Sequence, residues 1–335
     1  MQFRRPGDPL TASMSFPGAM TTRERRPPGA CIDVRDVSKH YGSIAAVSRL
    51  TFAVEPGRVT GFLGPNGAGK TTTMRMMLGL DRPTRGEILV SGRPYVRFQE
   101  PLRQVGALLD PSAVHPGRRA RDQLLVLARS NRIPDARVDE LLDLVGLGAA
   151  ARRRIGGFSL GMRQRLGLAA ALLGDPQVLI LDEPLNGLDA EGIQWVRGLL
   201  RDLADDGRVV LVASHLMNDM AVTADHLIIV GRGRLLADVS MTGFSARYGH
   251  GRVRLRTTRP ERLGKALAAD GFALTPVNGG AWEVPEARTE QVGAVAAREG
   301  VPLQELHLRE DSLEEMFLRM TADSTEFAVA PGRAF

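Results

Sequence analysis

Cysteine is almost missing from this 335-residue chain: Cys31 is the only one. No intrachain disulfide can form, a reducing compartment fits, and a zinc-cysteine insert is excluded. Lysine is nearly as scarce, occurring at Lys39, Lys70 and Lys265, so arginine supplies almost all of the formal net charge of +6. That excess is scattered and forms no basic stripe of the kind that tracks nucleic acid. A mildly basic protein can still lie against anionic lipid headgroups. No apolar run approaches a membrane span; stretches such as Leu166 to Leu173 and Leu227 to Val230 are far too short. The first thirty residues hold Arg, Pro, Gly and Ser but no apolar h-region, so they are not a secretory signal. They read as a disordered tail, with Met14 and Met20 as alternative starts. There is no internal repeat.

What is present suits a globular protein of two domains: 43% apolar and 24% charged residues over a length that can bury a sizeable core. The alternation from Cys31 to Val37 and from Ala45 to Val54 predicts two strands, the second ending at the Pro56-Gly57 turn. Glu87 to Val90 reads as a third. From about Arg103 to Arg154 the pattern turns helical, with Leu124, Leu125, Leu127 and Ala128 on one apolar face and Val138, Leu141, Leu142 and Val145 on another. Helices from Leu166 and Ala190 then alternate with strands at Val178 to Leu181 and Val209 to Ala213. That alternation predicts an α/β fold with a parallel core, interrupted by a helical insert.

Past Gly249 a β-α-β-α-β succession of small elements predicts a ferredoxin-like α+β unit. It closes with an amphipathic helix whose stripe is Leu313, Met316, Phe317 and Met320. This stripe either caps the small unit's own sheet or serves assembly. The expected divisions are a tail at 1–30, a first domain at 31–250 with its insert at about 103–165, a second domain at 251–322, and a tail at 323–335.

The chemistry sits in Gly64-Pro65-Asn66-Gly67-Ala68-Gly69-Lys70-Thr71-Thr72, which matches the phosphate-binding pattern G-x-x-x-x-G-K-[ST]. An apolar strand, Val59 to Leu63, precedes it, and a helix pattern follows, as the motif requires. Gly67 and Gly69 lack Cβ atoms, so backbone N–H groups can wrap an anion, and the helix N-terminus favours negative charge. Lys70 is placed to neutralise the β- and γ-phosphates of ATP, and the Thr71 hydroxyl to bind Mg²⁺. Downstream, the buried strand Val178-Leu179-Ile180-Leu181 ends in Asp182-Glu183. The C-terminal edge of such strands is where open α/β sheets place ligands. Asp182 suits Mg²⁺, and Glu183 suits the general base that polarises the attacking water.

Further short patterns occur in order: Phe158-Ser159-Leu160-Gly161-Met162-Arg163-Gln164-Arg165-Leu166 before the acidic strand, Asn186-Gly187-Leu188-Asp189 after it, and Ser214-His215 at the end of the next strand. This ordered set resembles the ATP-binding subunit of ABC transporters over roughly Cys31 to Val239. The resemblance implies that Tyr41 stacks on adenine, and that Ser159 and Gly161 contact the γ-phosphate held by an opposite subunit. It also implies that Asp189 couples the two sites and that His215 contacts the γ-phosphate and attacking water. Two positions depart from the family pattern. Leu160 stands where a second signature glycine is typical. Asp110 ends a stretch, Val105 to Leu109, that normally closes in a longer Gln or Glu sensing Mg²⁺.

Asp110, this signature and the appended small unit look most like ATPases of ABC-2-type exporters, including drug- and antibiotic-resistance systems. The resemblance implies ATP and Mg²⁺ as cofactors, transmembrane permease subunits as separate partners, and a second copy of the chain, or a related chain, completing each site. It implies a peripheral place on the cytoplasmic face of the plasma membrane and no nucleic-acid partner. Ala107, Leu108 and Leu109, extended by Val114 and Pro116, are the expected docking surface for the permease. The competing reading is a soluble ABC-type ATPase acting on DNA or ribosomes. The usual ribosomal type carries two nucleotide domains in one chain, and a DNA-repair type carries zinc cysteines or a long coiled coil; this sequence has neither.

Overall fold

The computed structural model describes residues 31–215, 217–249 and 251–321, so the expected terminal tails lie outside the described residues. β1 (Ile32–Tyr41) and β2 (Ile44–Val54) form a hairpin. β3 (Arg58–Leu63) runs into the phosphate loop and α1 (Lys70–Met77), and β4 (Arg85–Val90) returns to pair with β1. β5 (Val105–Leu108) is followed by α2 (Ala120–Ser130), α3 (Ala136–Leu144) and α4 (Leu160–Leu172). Then come β6 (Val178–Asp182), α5 (Ala190–Asp205), β7 (Val209–Ser214), α6 (Met217–Thr223), β8 (His226–Gly231), β9 (Arg234–Ser240) and α7 (Met241–Tyr248). Two sheets result. One is antiparallel, in the order β2-β1-β4; the other runs β5-β6-β7-β3-β8-β9, parallel from β5 to β8 with β9 antiparallel at its edge.

The central strands are apolar throughout because both faces of the larger sheet are covered. Val178, Ile180, Val209, Leu211 and Ala213 point into a core shared with α1 and the antiparallel sheet. Their neighbours Leu179, Leu181, Val210 and Val212 point into a second core built with the helices, where Leu124, Val138, Leu141 and Leu166 also lie. Period 2 in the strands and period 3.6 in the helices thus assemble a three-layer α/β fold.

The stretch from Arg103, expected to be helical, instead opens with β5 at the edge of the parallel sheet. Four residues are too few to show alternation. The strand fits because Gly106 lies against α4: a Cβ there would stand 1.9 Å from the Ala171 carbonyl oxygen. The insert's helices begin only at Ala120, and Val114 packs partly against the helix-side core of the first domain.

β10 (Arg252–Thr257), α8 (Pro260–Ala269), β11 (Thr275–Val277), β12 (Ala281–Pro285), α9 (Thr289–Arg298) and β13 (Leu303–Arg309) follow. Their sheet, ordered β11-β12-β10-β13 and antiparallel throughout, is the ferredoxin-like arrangement, with its own core of Val253, Leu255, Leu263, Leu267, Val284 and Val292. β11 is a strand the sequence pattern did not signal. Pro276 sits in it, and proline is tolerated because this is an edge.

α10 (Leu313–Thr321) corrects one expectation. Leu313, Met316 and Phe317 do not join the small sheet's core. They are buried in the helix-side core of the first domain, together with Met217, Met220 and Phe244. Losing such a buried phenyl ring costs about 3–5 kcal/mol. The helix start is fixed by a reciprocal cap: the Ser312 N–H donates to Glu315 Oε2 at 2.9 Å, and the Glu315 N–H donates to Ser312 Oγ at 3.2 Å.

Candidate nucleotide site

The phosphate loop is shaped by close backbone packing. Gly69 has φ +95°, and a Cβ there would lie 2.6 Å from the Ala46 carbonyl oxygen of β2, so only glycine fits. Lys70 follows at the helix start with 8% of its surface exposed. Its ammonium donates to the carbonyls of Gly64 at 2.6 Å and Pro65 at 3.1 Å. Burial lowers its pKa, against the pull of Glu183 and Asp182.

The acidic pair arrives from β6. The Thr71 hydroxyl donates to Asp182 Oδ2 at 2.8 Å. Burial raises the Asp182 pKa, the Thr71 bond opposes that, and the nearby Glu183 charge adds to it. Glu183 adopts the left-handed conformation, φ +51°, an uncommon and costly backbone for a non-glycine residue that clusters at functional sites. Its N–H donates to the Ala213 carbonyl at 2.9 Å, and its own carbonyl accepts from Gln164 Nε2 at 2.8 Å. The turned backbone aims the carboxylate at the end of β7. There Glu183 Oε1 accepts from the His215 N–H at 2.9 Å and meets His215 Nδ1 at 2.7 Å. A carboxylate only accepts, so Nδ1 is the donor in this contact.

A second group forms at the start of α4. Ser159 caps the helix, its Oγ accepting from the Met162 N–H at 3.2 Å. Gly161 lies against the next loop; a Cβ there would stand 2.6 Å from the Gly187 carbonyl oxygen. Asp189 caps α5 through the Gly192 N–H at 3.0 Å and meets Arg165 Nη2 at 3.5 Å. Leu160, the departure from the family signature, is 49% exposed and leaves the cap intact.

Tyr41 ends β1, half exposed, with Lys39 Nζ 4.9 Å from its ring centroid. Its hydroxyl donates to Asp81 Oδ2 at 3.2 Å. Burial, then the Asp81 charge, raises its pKa. Asp110 stands apart. It is exposed, and Oδ1 accepts from the Ser112 hydroxyl at 2.6 Å and the Ser112 N–H at 2.8 Å. Those two bonds lower its pKa. The structure thus joins Lys70, Thr71, Asp182, Glu183 and His215 in one cluster and Ser159, Gly161 and Asp189 in another. Gln164, which sequence reasoning passed over, ties the two together. Its only signal was a polar residue on the apolar-rich helix of the signature.

A parallel sheet with a phosphate loop at the end of one strand, an acidic pair at the end of a strand one place removed and a signature helix beside it defines an ABC-type ATPase. The ABC transporter family model matches residues 47–186, and a second, described as a domain of unknown function (DUF8746), matches 251–314. Nod factor export ATP-binding protein I of Burkholderia lata is 36% identical over 304 residues, 88% of this chain and 98% of that protein. Bacitracin transport ATP-binding protein BcrA of Bacillus licheniformis is 41% identical over 211 residues, 62% of this chain and 69% of that protein. A solved ATP-binding subunit of an ABC transporter superposes with a TM-score of 0.60 at 26% identity, covering 65% of this chain and 92% of its own. A dimeric bacterial ABC transporter cassette shares the fold, with a TM-score of 0.58 at 23% identity over 63% of this chain and 98% of its own.

The chain belongs to the ABC transporter family as an ATP-binding, ATP-hydrolysing subunit, and it groups with subunits of export systems. Nothing among these relatives favours an ATPase acting on DNA or ribosomes. Among the described residues no helix is long and apolar enough to cross a membrane.

Proposed function

We propose that two copies of this chain, peripheral on the cytoplasmic face of the plasma membrane, power export through separate permease subunits. The observation that carries the catalytic reading is the meeting of Thr71 and Asp182, 111 positions apart in the chain, at 2.8 Å beside the Lys70 ammonium. A hydroxyl and a carboxylate together offer the oxygen donors that Mg²⁺ takes alongside phosphate oxygens. Mg²⁺ supplies charge neutralisation on the β- and γ-phosphates. Gly64 to Thr72 binds the phosphates, and Tyr41 stacks the adenine. Glu183 takes the proton of the attacking water, and His215 holds that carboxylate and faces the γ-phosphate. Ser159, Gly161 and Asp189 complete the site of the second copy.

Asp110 serves the metal through an intervening water, since Ser112 already holds its carboxylate. The relatives named for bacitracin, lantibiotic and Nod factor support a cargo of the antibiotic or secreted-signal kind. In this proposal the ATPase domain runs over 31–250 and the small domain over 251–309, with α10 packed on the ATPase core.

The test uses two variants. Glu183→Gln is expected to bind ATP normally and hydrolyse it at least about 10²-fold more slowly, the scale of a lost general base. Lys70→Ala is expected to lose ATP binding. Phosphate release by Glu183→Gln at the wild-type rate would overturn the assignment.

A further inference from the structure

We propose that α10, through Phe317 and Met316, is a positioning element for His215, acting by way of α6. The proposal rests on the catalytic reading of His215 above. The chain leaves β7 at Ser214, passes His215 and enters α6 at Met217. α6 has seven residues, too few to hold a place by its own hydrogen bonds. Its position comes from its neighbours. Met217 and Met220, 6% and 0% exposed, share one apolar cluster with Phe244 of α7 and with Leu313, Met316 and Phe317 of α10. Its other ties run to α5, where Arg197 pairs with Asp219 and Arg201 donates to the Val222 carbonyl. The helix that carries the chain away from His215 is therefore held between the ATPase core and the last described helix.

α10 is in turn bound to the frame of the small sheet by charge. Arg252 of β10 reaches Asp311 at 2.7 Å and Glu283 of β12 at 3.4 Å. Arg309 of β13 reaches Glu283 at 3.1 Å and Glu315 of α10 at 3.0 Å. The side chains of Asp311 and Glu283 are 0% and 5% exposed, so these pairs are made largely out of contact with solvent, and Glu283 is held by both arginines. α10 is thus tied both to the small sheet and to the ATPase core. A shift of α10 bears on Met217 and Met220, and through the short chain before them on the bonds from the His215 N–H and Nδ1 to Glu183 Oε1. The unit assigned no chemistry of its own thereby sets the geometry of the hydrolytic centre.

Two measurements on the full chain test this. Phe317→Ala is expected to lower kcat for ATP hydrolysis about tenfold with KM within about twofold, the pattern of an interaction felt at the chemical step. Phe317→Leu, which refills most of the volume, is expected to restore kcat. His215→Ala is assayed beside them: if it hydrolyses ATP at the wild-type rate, the catalytic reading of His215 fails rather than this inference. A Phe317→Ala protein whose α10 amides exchange freely while kcat stays at the wild-type value overturns the proposal.

The second measurement, hydrogen exchange of the wild-type chain with and without ATP and Mg²⁺, does not depend on the variant folding. Protection in α6 and α10 is expected to change together. A change in α6 alone, or in neither, overturns the proposal.

Discussion

The side-chain amide of Gln164 donates to the main-chain carbonyl of Glu183 across 2.8 Å, joining the signature helix to the proposed general base. Gln164 is 1% exposed, so this bond is made out of contact with solvent. It holds the carbonyl of a residue in a strained backbone conformation, while β7 holds the N–H. The same helix begins at the Ser159 cap, one turn earlier.

Replacing Gln164 is therefore expected to damage catalysis more than nucleotide binding. Gln164→Met keeps the volume and removes the donor; Gln164→Glu sets an acceptor against an acceptor. A buried carbonyl left unpaired costs about 1–3 kcal/mol, and the same energy lost from the transition state slows turnover roughly 5- to 150-fold. Steady-state rates beside ATP affinity decide the matter. Wild-type kcat in both variants would show that the bond does not position Glu183.

Asp182 gives a pH-dependent expectation. Its folded pKa lies above the unfolded value of 3.8, because burial and then the Glu183 charge disfavour the ionised form more than the Thr71 bond favours it. The folded state thus binds this proton more tightly than the unfolded state, and stability falls as pH rises from 3.8 through the folded pKa. Above that window the whole penalty stands. Asp182→Asn is expected to melt higher than wild type at neutral pH without nucleotide, by roughly 2–4 °C for each kcal/mol relieved. The gain should vanish below the window, and hydrolysis should be lost. Equal melting curves across the pH range would refute the linkage.

The cap at Ser159 yields a test of assembly. In a Glu183→Gln background, ATP with Mg²⁺ is expected to produce a closed two-fold dimer. Adding Ser159→Arg should keep the chain monomeric by light scattering, because bulk and charge then sit where the other copy's γ-phosphate binds. Equal dimer in both backgrounds would reject a shared site.

Gly106 offers a test of the sheet edge that leads to Asp110. A methyl group there meets the Ala171 carbonyl oxygen at 1.9 Å and the Pro176 ring at 2.9 Å, which leaves little room to yield. Gly106→Ala is expected to lower the urea midpoint by an overpacking cost of about 1–3 kcal/mol or more. An unchanged midpoint would mean that β5 can lift from α4.

The nucleotide machinery was legible in the sequence because it is built from contiguous motifs: the glycines of the phosphate loop, the buried strand before Asp182, and the short patterns around Ser159 and Asp189 that carry the family resemblance. What escaped was set by distant partners. β5 is four residues long and is a strand only because β6 and α4 lie beside it. β11 contains Pro276 and exists by pairing with β12. The period of Leu313, Met316 and Phe317 announced a buried face, but period says nothing about which surface buries it. Gln164 read as one more polar residue of a helix, because the carbonyl it serves is 19 positions away.

The docking of α10 also orders the history of the chain. Met217, Met220 and Phe244 belong to the domain made first, yet the residues that cover them, Leu313, Met316 and Phe317, emerge only after the whole small sheet has been synthesised. A growing chain can close its phosphate loop and parallel sheet while this apolar face is still wet, so the nascent ATPase passes through a stage of exposed methionine and phenylalanine that is prone to association. A chain cut after Tyr248, the end of α7, is arrested at that stage.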